Sequence, residues 1–351
     1  MKIFTYNRDY NAINFKLISD HPDEILYFDL ETTGLSAKNS DLYMIGYGHT
    51  SEEGFKITLL FNDDGCSEPS MLEHFANILQ KHAVLVSYNG NTFDIPYIKE
   101  KFRQFHIDCD MSAIESCDIY KILKKYKKQL HLSSMRQSDL EQLMHIQREA
   151  FISGGDLIPV YKQYLSEGND YDLTELVRHN LDDMDGLVRI TDALAIHKLY
   201  NGSFCVSSAN IEDGWLYIQL SVPNSLPFRM NYGYDNIYVN GLGNEVHIKL
   251  PVENGTMKYF FSDYKNYYYL PLEDMAIHKS MAAYVDSEHK TKATKETAFV
   301  KKEGAFIRCP ADIGLNRFSY MSGDKEKYIA VDDHLLSDTE LLNTYVHILL
   351  K

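Results

Sequence analysis

Five side chains in this sequence have the types and spacings to bind divalent cations and to move a proton: Asp29, Glu31, Asp94, His179 and Asp183. Asp29 and Glu31 end an apolar run and stand two apart, so on a strand they project to the same side. Asp94 follows the turn YNGNTFD, which puts it at the start of a helix. His179 and Asp183 are four apart in a helical stretch and share one face. Hard cations such as Mg²⁺ or Mn²⁺ take carboxylate oxygens in preference to thiolates. Two of them about 4 Å apart can hold the attacking and leaving oxygens of a phosphoryl displacement. Clustered acids without a cation repel one another, so the pattern makes sense chiefly as a metal cage. A neutral imidazole beside it, with an unperturbed pKa of about 6.5, suits proton removal from an attacking water. Singly, each feature has a plainer reading as a turn, a helix cap or a solvated pair. Their joint occurrence in order favours a metal site.

The elements that must position these groups read as follows. Residues 25–28 form a buried strand leading into Asp29 and Glu31, and 42–47 and 55–61 read as further strands of an antiparallel meander. Residues 69–82 carry Leu72, Phe75, Ile78 and Leu79 on one helical stripe. Residues 83–87 read as a short strand and 93–105 as a helix. Residues 117–165 look mostly helical, broken at 153–156. Asp172 with Glu175 three residues on opens a helix running to about residue 200. This is an α/β domain with a mixed five-stranded sheet flanked by helices. Composition shifts at 201–210 toward Gly, Ser and Asn, which places a boundary between a domain of residues 1–203 and one of residues 204–351. The second domain reads as a smaller β-rich α+β unit with strands at 215–222, 245–250, 257–261 and 267–270. A helix at 273–284, a polar Lys/Thr stretch and a terminal helix from Asp338 complete it.

The segments FDLETTGL at 28–35, YNGNTFDIPYI at 88–98 and HNLDD at 179–183 resemble the three motifs of the DEDD exonuclease superfamily. The HxxxD spacing is that of members with histidine in the third motif. Motif order, with SMRQSDLEQLM at 134–144 and GGDLIPVYKQYL at 154–165 between the second and third, is similar to the YprB-like branch of ribonuclease H-like proteins. The resemblance covers roughly residues 20–198. It implies a ribonuclease H-like fold, two Mg²⁺ or Mn²⁺ ions on Asp29, Glu31, Asp94 and Asp183, His179 as general base, and 3′→5′ exonuclease polarity. Thr32 and Asn89, within the motifs, become candidate substrate contacts.

The net charge of −15 pulls against a nucleic-acid partner, since phosphate contacts usually draw an excess of Lys and Arg. Residues 1–200 carry −11 of it, part of which cation-holding carboxylates would explain. The candidate phosphate contacts are Lys125, in a run with Lys121, Lys124, Lys127 and Lys128, and the single residues Arg148 and Arg178. Tyr264, Tyr267, Tyr268 and Tyr269 could stack bases, but aromatic residues are also good strand formers. Lys279 and the lysines at 290–302 read as a flexible loop. The five cysteines are scattered without a CxxC pair, which indicates neither a disulfide framework nor a thiolate zinc site. No secretory signal or membrane span is evident, so a cytoplasmic protein is expected. The expected function is a metal-dependent 3′→5′ exonuclease acting on single-stranded DNA or RNA, with a protein partner conceivable through the second domain. The competing readings are a binding or scaffold protein with a relic metal site, and a structure-specific endonuclease.

Overall fold

The apolar run at 25–28 lengthens into a strand inside a six-stranded sheet. The computed structural model describes residues 1–52, 54–148 and 154–351. In chain order come β1 (Lys2–Arg8), β2 (Ile25–Thr32), β3 (Leu42–Ser51), β4 (Gly54–Phe61), α1 (Glu68–Leu79), β5 (Val84–Ser87), α2 (Asp94–Gln104) and β6 (Glu115–Asp118). Helices α3 (Ile119–Leu123), α4 (Gln137–Leu143), α5 (Gly154–Glu167), α6 (Asp170–Arg189) and α7 (Leu194–Tyr200) follow. The sheet order is β1-β4-β3-β2-β5-β6. Strands β1 to β4 pair antiparallel, while β5 and β6 join β2 in parallel. This is the mixed ribonuclease H-like sheet expected, with six strands in place of five.

Two edge strands escape the sequence pattern for the same reason. The residues of β1 are all exposed or half-buried, and those of β6 (ESCD) are mostly so. Neither has an apolar face to betray it, and both are specified by backbone pairing. Cys117 therefore sits in a strand beside Val86, where a helix was expected. The central strands are buried on both faces, as a covered sheet demands. Leu26, Phe28 and Leu30 of β2 pack with Leu72 and Phe75 of α1 and Ile98 and Phe102 of α2. The alternate residues, Asp29 and Glu31, are thereby turned to the other face.

Helix α6 starts two residues before Asp172, with Asn169 as its N-cap accepting from the Asp172 N–H at 2.8 Å. Of the break expected at 153–156, Ser153 lies outside the described residues and Gly154 to Asp156 open α5.

The second half holds β7 (Cys205–Glu212), β8 (Trp215–Tyr234), β9 (Ile237–Pro251), β10 (Glu253–Phe260), β11 (Tyr267–Leu270), β12 (Met275–His278), α8 (Lys279–Ala282), β13 (Thr291–Lys292), β14 (Phe299–Arg308), β15 (Tyr328–Val331), α9 (Asp333–Ser337) and α10 (Thr339–Leu350). They build three-stranded sheets β7-β8-β9, β10-β14-β15 and β12-β11-β13. The helix expected at 273–284 is instead β12 followed by the one-turn α8. Asp274 adopts φ +48°, reversing the chain so that β12 pairs back onto β11. The tyrosines of β11 belong to local packing: Tyr267 stacks on Phe261 at 4.1 Å, and Tyr269 donates to Asp274 at 2.6 Å. Lys301 and Lys302 lie on β14 and pair with Asp274 and Asp332.

The chain divides into two compact units, one of Met1–Lys198 with Leu226–Phe228 and another of Leu199–Ser225 with Arg229–Lys351. Among the described residues no helix is long and apolar enough to cross a membrane.

Candidate metal centre

Asp29 is opposite Gly46 in the β2–β3 register, and this glycine is what admits helix α6. A Cβ at Gly46 would lie 2.4 Å from Asn180 Oδ1 and 2.8 Å from Met184 Cγ. Without that side chain the helix approaches closely enough for Asn180 Nδ2 to donate to Asp29 Oδ2 at 2.9 Å. His179 and Asp183 flank Asn180 on the same helix. A register shift between Glu31 and Thr32 then ends regular pairing beside the site.

Asp94 opens α2 and is aimed by the turn before it. Gly90 has no room for a side chain, since a Cβ would sit 2.3 Å from Ser87 Oγ. Asn89 adopts φ +63°, a conformation asparagine tolerates better than most residues. The buried Asp118 at the end of β6 accepts from Asn89 N at 2.9 Å, Asn91 N at 3.2 Å and Lys121 N at 3.1 Å, fixing both turn and helix α3. Nothing in the local sequence of Asp118 reveals its hold on the turn, because Asn89 and Asn91 are nearly thirty residues away.

Of the five side chains, Glu31, His179 and Asp183 converge into one cluster. Metal-ligating atoms of Glu31, His179 and Asp183 lie within 4.8 Å of one another. His179 Nε2 is 3.1 Å from Asp183 Oδ2 and 3.4 Å from Glu31 Oε1. Glu31, Asp94 and His179 are buried, at 7–8% exposure. Tyr43 on β3 donates to Glu31 Oε2 at 3.2 Å, a partner the sequence does not announce. Burial, then the charges of Asp183, Asp94 and Glu31, holds the Asp29 carboxyl well above the usual carboxylate range. Burial pushes Glu31 up to about 7 against the opposing charge of His179. Burial likewise pushes Asp94 up to about 6, against backbone hydrogen bonds at Asp94 and Leu30. Burial works against charge on both His179 and Asp183, but their mutual hydrogen bond prevails. The imidazole is raised above its ordinary value and the carboxyl is lowered below its own.

Arg148 does not stand free for a phosphate. Its Nη1 is 2.6 Å from Asp183 Oδ1, while its Nε and Nη2 grip Glu141, the latter at 2.7 Å. Glu141 is fully buried on α4 and fits only because Gly186 has no side chain, whose Cβ would lie 1.9 Å from Glu141 Oε1. Arg178 pairs with Glu175 at 3.4 Å, and the Lys125 ammonium lies 4.9 Å from the centre of the Tyr126 ring. Thr32 donates to Gly34 O at 2.9 Å. Asp185, two residues beyond Asp183 on α6, accepts from Arg8 Nε at 2.8 Å and from Tyr10.

The residues present fit a hard divalent cation. Arg148, which is shared with Glu141, and His179 offset only part of the charge of Asp29, Glu31, Asp94 and Asp183. Buried oxygens with that surplus of negative charge are stabilised by a cation of the Mg²⁺ or Mn²⁺ kind. A consequence is measurable in the metal-free protein. Glu31 and Asp94 have folded pKa values above their unfolded ones, near 4.3 and 3.9. Each therefore destabilises the fold when charged, and the penalty is relieved as pH falls through about 7 and then about 6. Raised His179 acts in the same direction, since its stabilisation is present at low pH and lost on going up. Burial lowers the pKa values of His74, His82 and His197, which pull the other way. The large shifts of Glu31 and Asp94 outweigh them, so in chelator the melting temperature is expected to rise as pH drops from about 8 to about 5.5. Excess Mn²⁺ at the alkaline end should raise it and flatten the trend. A melting temperature that falls steadily over that range, with no response to Mn²⁺, contradicts the electrostatics described.

Residues 26–195 match a family model, RNase_H_2, described as of the RNase_H superfamily. Among solved structures, the chain is similar to the family B DNA polymerase of the hyperthermophilic archaeon Pyrobaculum calidifontis. Identity there is 13% over 69% of this chain and 35% of the polymerase, with a TM-score of 0.39. It is also similar to E. coli Exonuclease I in complex with a dT13 oligonucleotide, at 13% identity over 44% of this chain and 41% of that one, TM-score 0.31. The EXO domain of Nibbler from Aedes aegypti is 12% identical over 53% of this chain and 84% of that domain, TM-score 0.34. The chain thus spans about a third of the polymerase and two-fifths of Exonuclease I. No curated protein matches it significantly.

Proposed function

We propose that this chain is a metal-dependent nuclease that hydrolyses single-stranded DNA or RNA from the 3′ end. The chemistry is assigned to residues 1–203, with residues 204–351 as a second domain. The observation that carries the reading is the meeting of Glu31, His179 and Asp183, whose ligand atoms lie within 4.8 Å of one another, beside Asp29, which feels the charge of Asp183, Asp94 and Glu31. Asp29, Glu31, Asp94 and Asp183 would hold two Mg²⁺ or Mn²⁺ ions. When bound, such ions supply Lewis-acid stabilisation of the phosphoryl oxygens and neutralise the developing charge.

The chain's own groups do the rest. Asn180 fixes the rotamer of Asp29, Tyr43 fixes that of Glu31, and the Arg148–Glu141 pair holds Asp183. Against burial, the same acids that would take up the cations raise the His179 imidazole above its ordinary value. With cations offsetting those acids the raising pull would weaken, and Nε2 would be the atom placed to accept a proton. Asn89, Thr32, Lys125 and Arg178 are assigned to substrate contact, and Arg148 to orienting Asp183.

The test is an assay of the full chain on 5′-labelled single strands of DNA and RNA, with Mn²⁺, Mg²⁺ or chelator. Stepwise shortening from the 3′ end that needs metal is expected, with a closed single-stranded circle left intact. Cleavage of the circle replaces the exonuclease by an endonuclease. Inertness toward all substrates with either metal overturns the reading.

A further inference from the structure

We infer that the outer face of the β7-β8-β9 sheet is a second binding site, built for a single strand of nucleic acid. Along β8 and β9 the side chains alternate. Leu216, Ile218, Leu220, Val239, Val246 and Ile248 are buried, whereas the residues between them are open to solvent or half-covered. The uncovered set lines a groove of about 320 Å³.

Tyr217 and Tyr238 line this groove, and Trp215 stands beside it against Tyr238 and Lys249. Trp215 meets Tyr238 edge-on, with centroids 6.0 Å apart, and Tyr238 is 48% exposed. Lys249 extends its ammonium over Trp215 at 4.3 Å and over Tyr217 at 5.2 Å. Two rings thus fix a cation that has no carboxylate partner among the described residues. His247 already faces Glu245 at 3.8 Å, so Lys249 is the cation left for an anion. Asn210, Gln219 and Asn240 add amide donors and acceptors to the wall.

An open aromatic face beside a positioned cation is complementary to alternating bases and phosphates, and it is so locally, against a chain whose net charge is −15. A protein partner would favour a wider apolar surface than this polar-lined groove. Tyr238 takes a base, Lys249 takes the adjoining phosphate, and the amides meet base edges. Carriage on one chain raises the local concentration of strand available to the proposed nuclease. The choice of nucleic acid over another ring-stacking ligand rests on that nuclease reading.

Trp215 is the sole tryptophan of the sequence, so its fluorescence reports on changes at the groove residues it touches, Tyr238 and Lys249. The experiment titrates the full chain, in chelator so that nothing is cut, with oligothymidylate. Saturable quenching is expected. Tyr238→Ala should weaken binding roughly tenfold, and Tyr238→Phe should restore it. Lys249→Met should lower the salt dependence by about one phosphate contact. Unchanged fluorescence overturns the proposal. So does equal quenching by polyphosphate, which has no bases, or quenching by an oligosaccharide and not by the oligonucleotide. Metal-dependent cleavage with a silent Trp215 removes this site and leaves the nuclease standing. Quenching without cleavage under any metal does the reverse.

Discussion

Asp29→Asn should all but abolish cleavage while making the metal-free protein more stable. Asparagine keeps the shape of the side chain and can still meet Asn180, but it removes one of the mutually repelling charges facing Asp183, Asp94 and Glu31. Lewis-acid stabilisation is worth several kcal/mol of barrier, and about 1.4 kcal/mol corresponds to tenfold in rate. Losing a cation-holding carboxylate should therefore cost roughly 10³-fold or more in kcat/KM. Thermal melts in chelator should show the variant above the parent, and its response to Mn²⁺ should shrink. Opposite movement of stability and activity is the signature of a site that stores repulsion for a ligand. Wild-type turnover by this variant would mean the chemistry happens elsewhere.

His179→Gln should lower kcat by roughly 10²–10⁴-fold, the usual size of a lost general base. The carboxylates would remain, so most of the Mn²⁺-induced rise in melting temperature should survive. The comparison separates two roles that the geometry alone places side by side, because His179 Nε2 lies within reach of both Glu31 and Asp183. Loss of the Mn²⁺ response together with activity would make His179 a ligand in place of a base.

The meeting of Glu31, His179 and Asp183 is legible in the sequence because the segments that carry them each follow their own geometric rule. Alternation sends Asp29 and Glu31 to one side of a strand, and a four-residue step puts His179 and Asp183 on one side of a helix. What the sequence does not carry is tertiary. Tyr43 reaches Glu31 from the neighbouring strand, and Glu141 acts through Arg148, which by itself reads as a surface cation. Asn180 stands inside the third motif, yet its partner is 151 residues away. Gly46 is ordinary in the sequence, and its value shows only when Asn180 and Met184 are found where its side chain would be. The sheet was countable only where strands have apolar faces, so β1 and β6 were lost. In the second half, one left-handed residue, Asp274, converts an expected helix into a hairpin. The rings at the groove share the solvent side of two strands, and recognising them required knowing which residues between them are buried.

Everything in the nuclease account depends on cations being held by acids contributed by β2, α2 and α6. Anomalous diffraction from crystals soaked in Mn²⁺ tests this directly. Peaks within coordination distance of Asp29 and of at least two among Glu31, Asp94 and Asp183, with the His179 ring alongside, are the expected result. An empty cluster at saturating Mn²⁺, with Arg148 still closed on Asp183, would contradict it.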